Sequence, residues 1–159
     1  MERSTEGAMG QARAFATYLD ELREAVLKVA EPLDEETLNR RPPGLTNTPG
    51  ILLRHLVGSE RYWIHRTVGG DPVKRDRDAE FAPQLPVRKS EVLAELSRVG
   101  ARTREILEHL PDEALEERVE VQRGERTETV TKLYAILQTI AHYSYHLGQL
   151  RVHAKLLGG

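Results

Sequence analysis

The sequence contains no cysteine, which removes disulfides, thiolate metal sites and a cysteine nucleophile together. Any chemistry must fall to histidine and carboxylate groups. No apolar run approaches the ~20 residues of a membrane span, and the stretch Met1 to Ala8 has no signal-like apolar core. The chain is therefore expected to be a cytoplasmic protein with no membrane partner. An excess of either charge is missing too. The 23 basic and 25 acidic residues are interspersed, so no basic stripe points to nucleic acid. With 159 residues the chain suffices for one domain, 1–159, with a single core.

What is present is helical periodicity. Phe15, Leu19, Leu22, Val26 and Val29 recur at spacings of three and four, which predicts an amphipathic helix from about Gln11 to Ala30. A short acidic turn at 34–38 follows, then the breakers Pro42, Pro43 and Gly44. Thr48-Pro49 supplies an N-cap and an N1 proline for a second helix carrying Leu52, His55, Leu56, Ser59, Tyr62 and Trp63, which ends at Gly69-Gly70. Residues 71 to 87 hold three prolines among charges and read as an irregular crossover connection. Ser90 can cap a third helix with a buried stripe from Val92 to Leu110. Two-residue alternation around Gly124, through Val119, Val121, Thr127 and Thr129, suggests a small β-hairpin. A fourth helix runs from about Val130 to Leu157 and stops at Gly158-Gly159. Four long amphipathic helices in one domain predict an all-α four-helix bundle, with sites built between facing helices.

The fourth helix carries His142 and His146, four residues apart and so stacked on one face, where two imidazoles can chelate one ion. Gln149 and His153 continue the same face. Either this polar stripe faces water or it builds a site. The flanking Ile136, Leu137, Ile140, Leu147 and Leu150 favour the inward reading. His55, between Leu52 and Leu56, should point to the core and could complete a three-imidazole set with open positions, the ligand pattern of a catalytic rather than a structural metal site. Zinc, nickel and iron all accept imidazole. His65 and His109 read as surface residues, and His153 lies two turns beyond His146. Ser59 and Tyr62, one and two turns after His55, are expected to line the same pocket. Gln149 is a candidate hydrogen-bond partner behind His146, and Glu60 reads as a solvated or interhelix charge.

The segments from Thr48 to Leu56 and from His142 to Leu150 resemble the DinB-like family of metalloenzymes, which includes the YfiT-like proteins. The resemblance covers most of the chain. It implies an up-down-down-up four-helix bundle with a long crossover and a divalent transition metal on His55, His142 and His146. The family's acidic residue after the first histidine of the pair and arginine after the second are replaced here by Tyr143 and Leu147. By resemblance the activity is that of an S-transferase or isomerase acting on a small-molecule substrate, with a low-molecular-weight thiol such as mycothiol or bacillithiol as cosubstrate. A metal-dependent hydrolase and a non-catalytic metal-binding stress protein are the alternatives. Family practice and the aromatic pair Tyr62-Trp63 also suggest a homodimer.

Overall fold

The computed structural model describes residues 10–158, so the reading of Met1 to Ala8 and the stop at Gly159 lie outside the described residues. Helix α1 spans Gln11–Ala30, and its first N–H is capped from a distance, Gln11 N donating to Asp112 Oδ1 at 2.9 Å. The single turn α2, Glu35–Leu38, starts at Asp34, whose carboxylate accepts from Thr37 N. Helix α3, Pro49–Glu60, opens on Thr48, whose hydroxyl accepts from Ile51 N at 3.1 Å. It continues as a π-helical segment, Arg61–Arg66. The wider winding is visible in the Thr67 N to Tyr62 O bond, and it leaves four successive residues, Tyr62 to His65, buried.

The connection 71–87 is less irregular than its composition suggests. Asp76 accepts from Ala79 N and nucleates a one-turn helix, α4, Arg77–Glu80. Arg54 fastens the end of that turn and the chain beyond it, donating to the carbonyls of Glu80, Ala82 and Leu85. Helix α5, Lys89–Glu108, does not use Ser90 as its cap. Its first N–H, on Lys89, is satisfied by the Glu35 carboxylate of α2, which replaces a local cap.

After a 3₁₀ turn at Asp112–Glu116, strands β1, Arg118–Arg123, and β2, Arg126–Thr131, pair antiparallel with Arg123 opposite Arg126. Gly124, at φ 61°, supplies the left-handed backbone that a two-residue hairpin turn needs. Thr131 ends β2 and caps α6, Lys132–Leu156, accepting from Tyr134 N at 3.0 Å. The hairpin is tied down by Gln122 N donating to the Tyr62 hydroxyl at 2.6 Å and Arg66 donating to Glu120 O.

The fold is mostly helical with this small hairpin. Helix α1 packs on α5 and α6, and α3 packs on the same two from the other side. Leu19, Val26, Leu52, Leu56, Leu96, Leu107, Ile136 and Leu150 fill the space between them. Within this core lies a charged network. Glu60, fully buried, takes hydrogen bonds from Arg23, from Thr103 Oγ1 at 2.8 Å and from Tyr143 OH at 2.6 Å, so all four long helices meet at one carboxylate. Glu60 is thus an interhelix charge and not a solvated one. Burial and the neighbouring carboxylate push the Tyr143 phenol well above its usual range, so it remains a donor. Gly100 makes room for the Arg23 guanidinium, since a Cβ there would stand 2.6 Å from Nε.

Three further expectations are corrected. His65 is buried, not a surface residue: the π-helical segment turns it onto α5, where Nε2 meets Val99 O at 3.1 Å and Thr103 Oγ1 at 3.2 Å. Tyr62 and Trp63 are also buried and offer no surplus aromatic surface. Leu137 faces outward on α6, together with Tyr145, Val152 and Leu156.

Candidate metal centre

Helix packing brings His55 from α3 against His142 and His146 from α6. His142 Nε2 lies 2.8 Å from His55 Nε2 and 3.0 Å from His146 Nε2. His55 and His146 are buried, and His142 is half-buried. The orientation of two rings is fixed from behind. His55 Nδ1 faces Glu80 Oε1 at 2.9 Å, and since a carboxylate only accepts, Nδ1 carries the proton and Nε2 is left as a bare lone pair. His146 Nδ1 donates in the same way to Gln149 Oε1 at 2.7 Å. Two lone pairs therefore face His142 Nε2, which has at most one proton to offer. Charging the rings is opposed as well: burial first, then the neighbouring imidazoles, pull His142 down to about 3, and burial pulls His146 down to about 4.

Three neutral nitrogens aimed at one point with too few protons among them are what a cation satisfies. The group His55, His142 and His146 could hold a metal ion. Tetrahedral ligands at about 2.1 Å stand about 3.4 Å apart, so the two close pairs need to open by about 0.6 and about 0.4 Å.

The carboxylate behind His55 is itself held. Arg75 donates from Nε to Glu80 Oε2 and from Nη2 to Oε1, both at 2.9 Å. Burial raises the Glu80 carboxyl, but the Arg75 fork and His55 outweigh it and keep the group below the usual carboxylate range. Phe81 packs against the His55 ring at a 45° tilt, with centroids 4.4 Å apart.

A cavity of about 660 Å³ opens beside the histidines, lined by His55 and His142 together with Ser59, Tyr62, Trp63 and Arg123. Ser59 and Tyr62 thus share the His55 face, and Gln149 stands behind His146. His153 is not part of the cluster, because both its ring nitrogens face backbone carbonyls, of Gln149 and of Asn47. His109 is bound to Glu105 O at the end of α5. Tyr143 and Leu147 both turn into the core, so the two departures from the family pattern are packing residues.

Sequence reasoning missed Glu80, Arg75 and Phe81, which come from the connection between α3 and α5. One signal was available. Gly58 interrupts a helix three residues after His55, and a Cβ there would stand 2.1 Å from Glu80 Oε2.

The sequence profile of the DinB superfamily matches residues 18–150. The chain belongs to the DinB superfamily. No curated protein matches the sequence. Among solved structures, a conserved protein from Enterococcus faecalis superposes with a TM-score of 0.73 at 17% identity, over 94% of this chain and 98% of that one. That likeness concerns the fold alone. No helix among the described residues is long and apolar enough to cross a membrane.

Proposed function

We propose that this chain is an up-down-down-up four-helix bundle whose His55, His142 and His146 bind one divalent transition metal, zinc, nickel or iron, and that it is a thiol-dependent S-transferase or isomerase of small molecules. The observation that carries the reading is the convergence of the three Nε2 atoms, with two Nδ1 protons committed to Glu80 and Gln149. A divalent ion bound there would supply a Lewis acid able to bring the pKa of a thiol or of water toward neutrality. The chain supplies the rest. Glu80 and Gln149 keep the ring tautomers, Phe81 packs against His55, and Ser59 and Tyr62 line the space where a substrate would lie. Tyr62 OH accepts from Gln122 N, so its own proton is free to donate into the cavity.

The size of the cavity supports catalysis over simple metal storage, since about 660 Å³ takes a drug-sized molecule. The lack of cysteine in the chain supports an external thiol, and the cytoplasm is where such thiols stay reduced. A homodimer is part of this reading, formed through the outer face of α6, where Tyr145 is 64% and Val152 52% exposed. Elemental analysis of protein purified without a metal-affinity column tests the metal claim. One ion per chain is expected, with almost none after His146→Ala. A wild-type chain that arrives empty and takes up neither zinc, nickel nor iron on dialysis would end it.

A further inference from the structure

The cavity beside the histidines is more basic than the chain that builds it. Arg75, Arg77 and Arg123 line it with Asp78 as the one carboxylate of the lining, in a chain of net charge −2. The carboxylates that pair with Arg75 and Arg123, Glu80 and Glu128, are not part of the lining. Arg77 has no ion-pair partner among the described residues. Its guanidinium lies 4.8 Å from the centre of the Phe81 ring, the same ring that packs against His55. Arg123 lies over Trp63 at 5.0 Å, and its Nη2 donates to Tyr134 OH at 2.7 Å.

Aromatic faces thus hold Arg77 and Arg123 in place while leaving N–H groups uncommitted, all of them on Arg77 and at least Nη1 on Arg123. A planar fork held this way is prepared for an oxyanion, because less side-chain freedom is lost when it binds. A neutral or cationic occupant would leave the Arg77 charge unmatched and the free N–H groups of both arginines unused. We propose that the cavity binds a small molecule through an oxyanion group, a carboxylate or a phosphate, seated on Arg77 and Arg123, with its reacting end turned toward His55 and His142. The second half of this statement rests on the metal-centre reading; the first half does not.

Trp63 is the only tryptophan of the chain and lines the cavity, so its fluorescence reports on the occupant. Metal-free protein would be titrated at constant ionic strength with succinate, inorganic phosphate and the neutral succinamide, and each titration repeated by calorimetry. A saturable response to at least one anion and none to succinamide is expected, with affinity about tenfold weaker in Arg77→Gln or Arg123→Gln. Which anion binds identifies the oxyanion. No binding of either anion by both readouts, equal binding of succinamide, or unchanged affinity in both variants would overturn the proposal. Because the protein is metal-free, a failed metal analysis leaves this result standing, and a failed titration leaves the metal centre standing.

Discussion

Glu80 reaches His55 through space that only glycine leaves open at position 58: a Cβ there would stand 2.1 Å from Glu80 Oε2 and 2.4 Å from its carboxyl carbon. The carboxylate cannot retreat easily, because Arg75 holds both oxygens and Arg54 holds the backbone around it. Gly58→Ala is therefore expected to push Glu80 off His55 Nδ1 and free that ring to rotate or change tautomer. Helix propensity alone would make the substitution mildly stabilising. Zinc affinity should nevertheless fall by about 10- to 100-fold, as when the partner behind a ligating histidine is lost. Competition with a chromogenic chelator measures this, and wild-type affinity in the variant would refute the role given to Glu80.

The Glu60 network predicts a different signature, stability without metal binding. Tyr143→Phe removes one donor from a buried carboxylate and should cost about 1–3 kcal/mol. Glu60→Gln removes the buried counter-charge of Arg23, leaving only the partly exposed Asp20, and should cost about 3–5 kcal/mol. Urea denaturation of the metal-free protein measures both. Metal content after Tyr143→Phe should equal that of wild type, because Tyr143 turns away from the histidine cluster into the core.

The helices were readable because each carries its own signals, Thr48-Pro49 at the start of α3 and the stripe from Val92 to Leu107 along α5. The His-x-x-x-His spacing was local in the same sense. What escaped the sequence was set by distant partners. Lys89 is capped by Glu35, Gln11 by Asp112, and His55 is oriented by Glu80, 25 residues on in a connection with no period. His65 was misplaced for a related reason. The π-helical widening over Arg61–Arg66 departs from regular helical pitch and turns the ring from the surface onto α5.

Acid should weaken the metal-free protein well before its carboxylates titrate. His142 and His146 have folded pKa values of about 3 and about 4, below the ordinary 6.5, and burial lowers His65 as well. Above pH 6.5 these rings are neutral folded or unfolded and contribute nothing. Below it the unfolded chain binds protons that the folded chain refuses, so stability falls as pH falls, by at most about 1.4 kcal/mol per pH unit for each ring. Denaturation midpoints between pH 7.5 and 5 should decline, and His142→Asn with His146→Asn should flatten the slope. An unchanged slope in that double variant would contradict the assignment.

Dimer formation is tested on the outer face of α6. Leu137, Tyr145, Val152 and Leu156 are each about half exposed or more, which is unusual for large apolar side chains sharing one helix. Light scattering at micromolar concentration is expected to give twice the chain mass, and Tyr145→Asp with Val152→Asp to give the monomer with its fold intact by circular dichroism. Only monomer from the wild type would reject the dimer.

If the chain is a thiol transferase, metal-loaded protein given bacillithiol, mycothiol or glutathione and monochlorobimane should conjugate the two faster than the uncatalysed reaction, and His142→Ala should lose that acceleration. His142 is the informative position because it lies between the other two rings and lines the cavity, yet is only half-buried, so its removal threatens the fold least. Equal rates in the two proteins would remove the transferase reading. Ester or amide turnover by the metal-loaded chain without any thiol would favour the hydrolase instead, since the same cluster and cavity serve both chemistries and only the nucleophile differs. Metal binding with neither activity, across substrates that carry the oxyanion group the arginines select, would leave a metal-binding protein that does no chemistry.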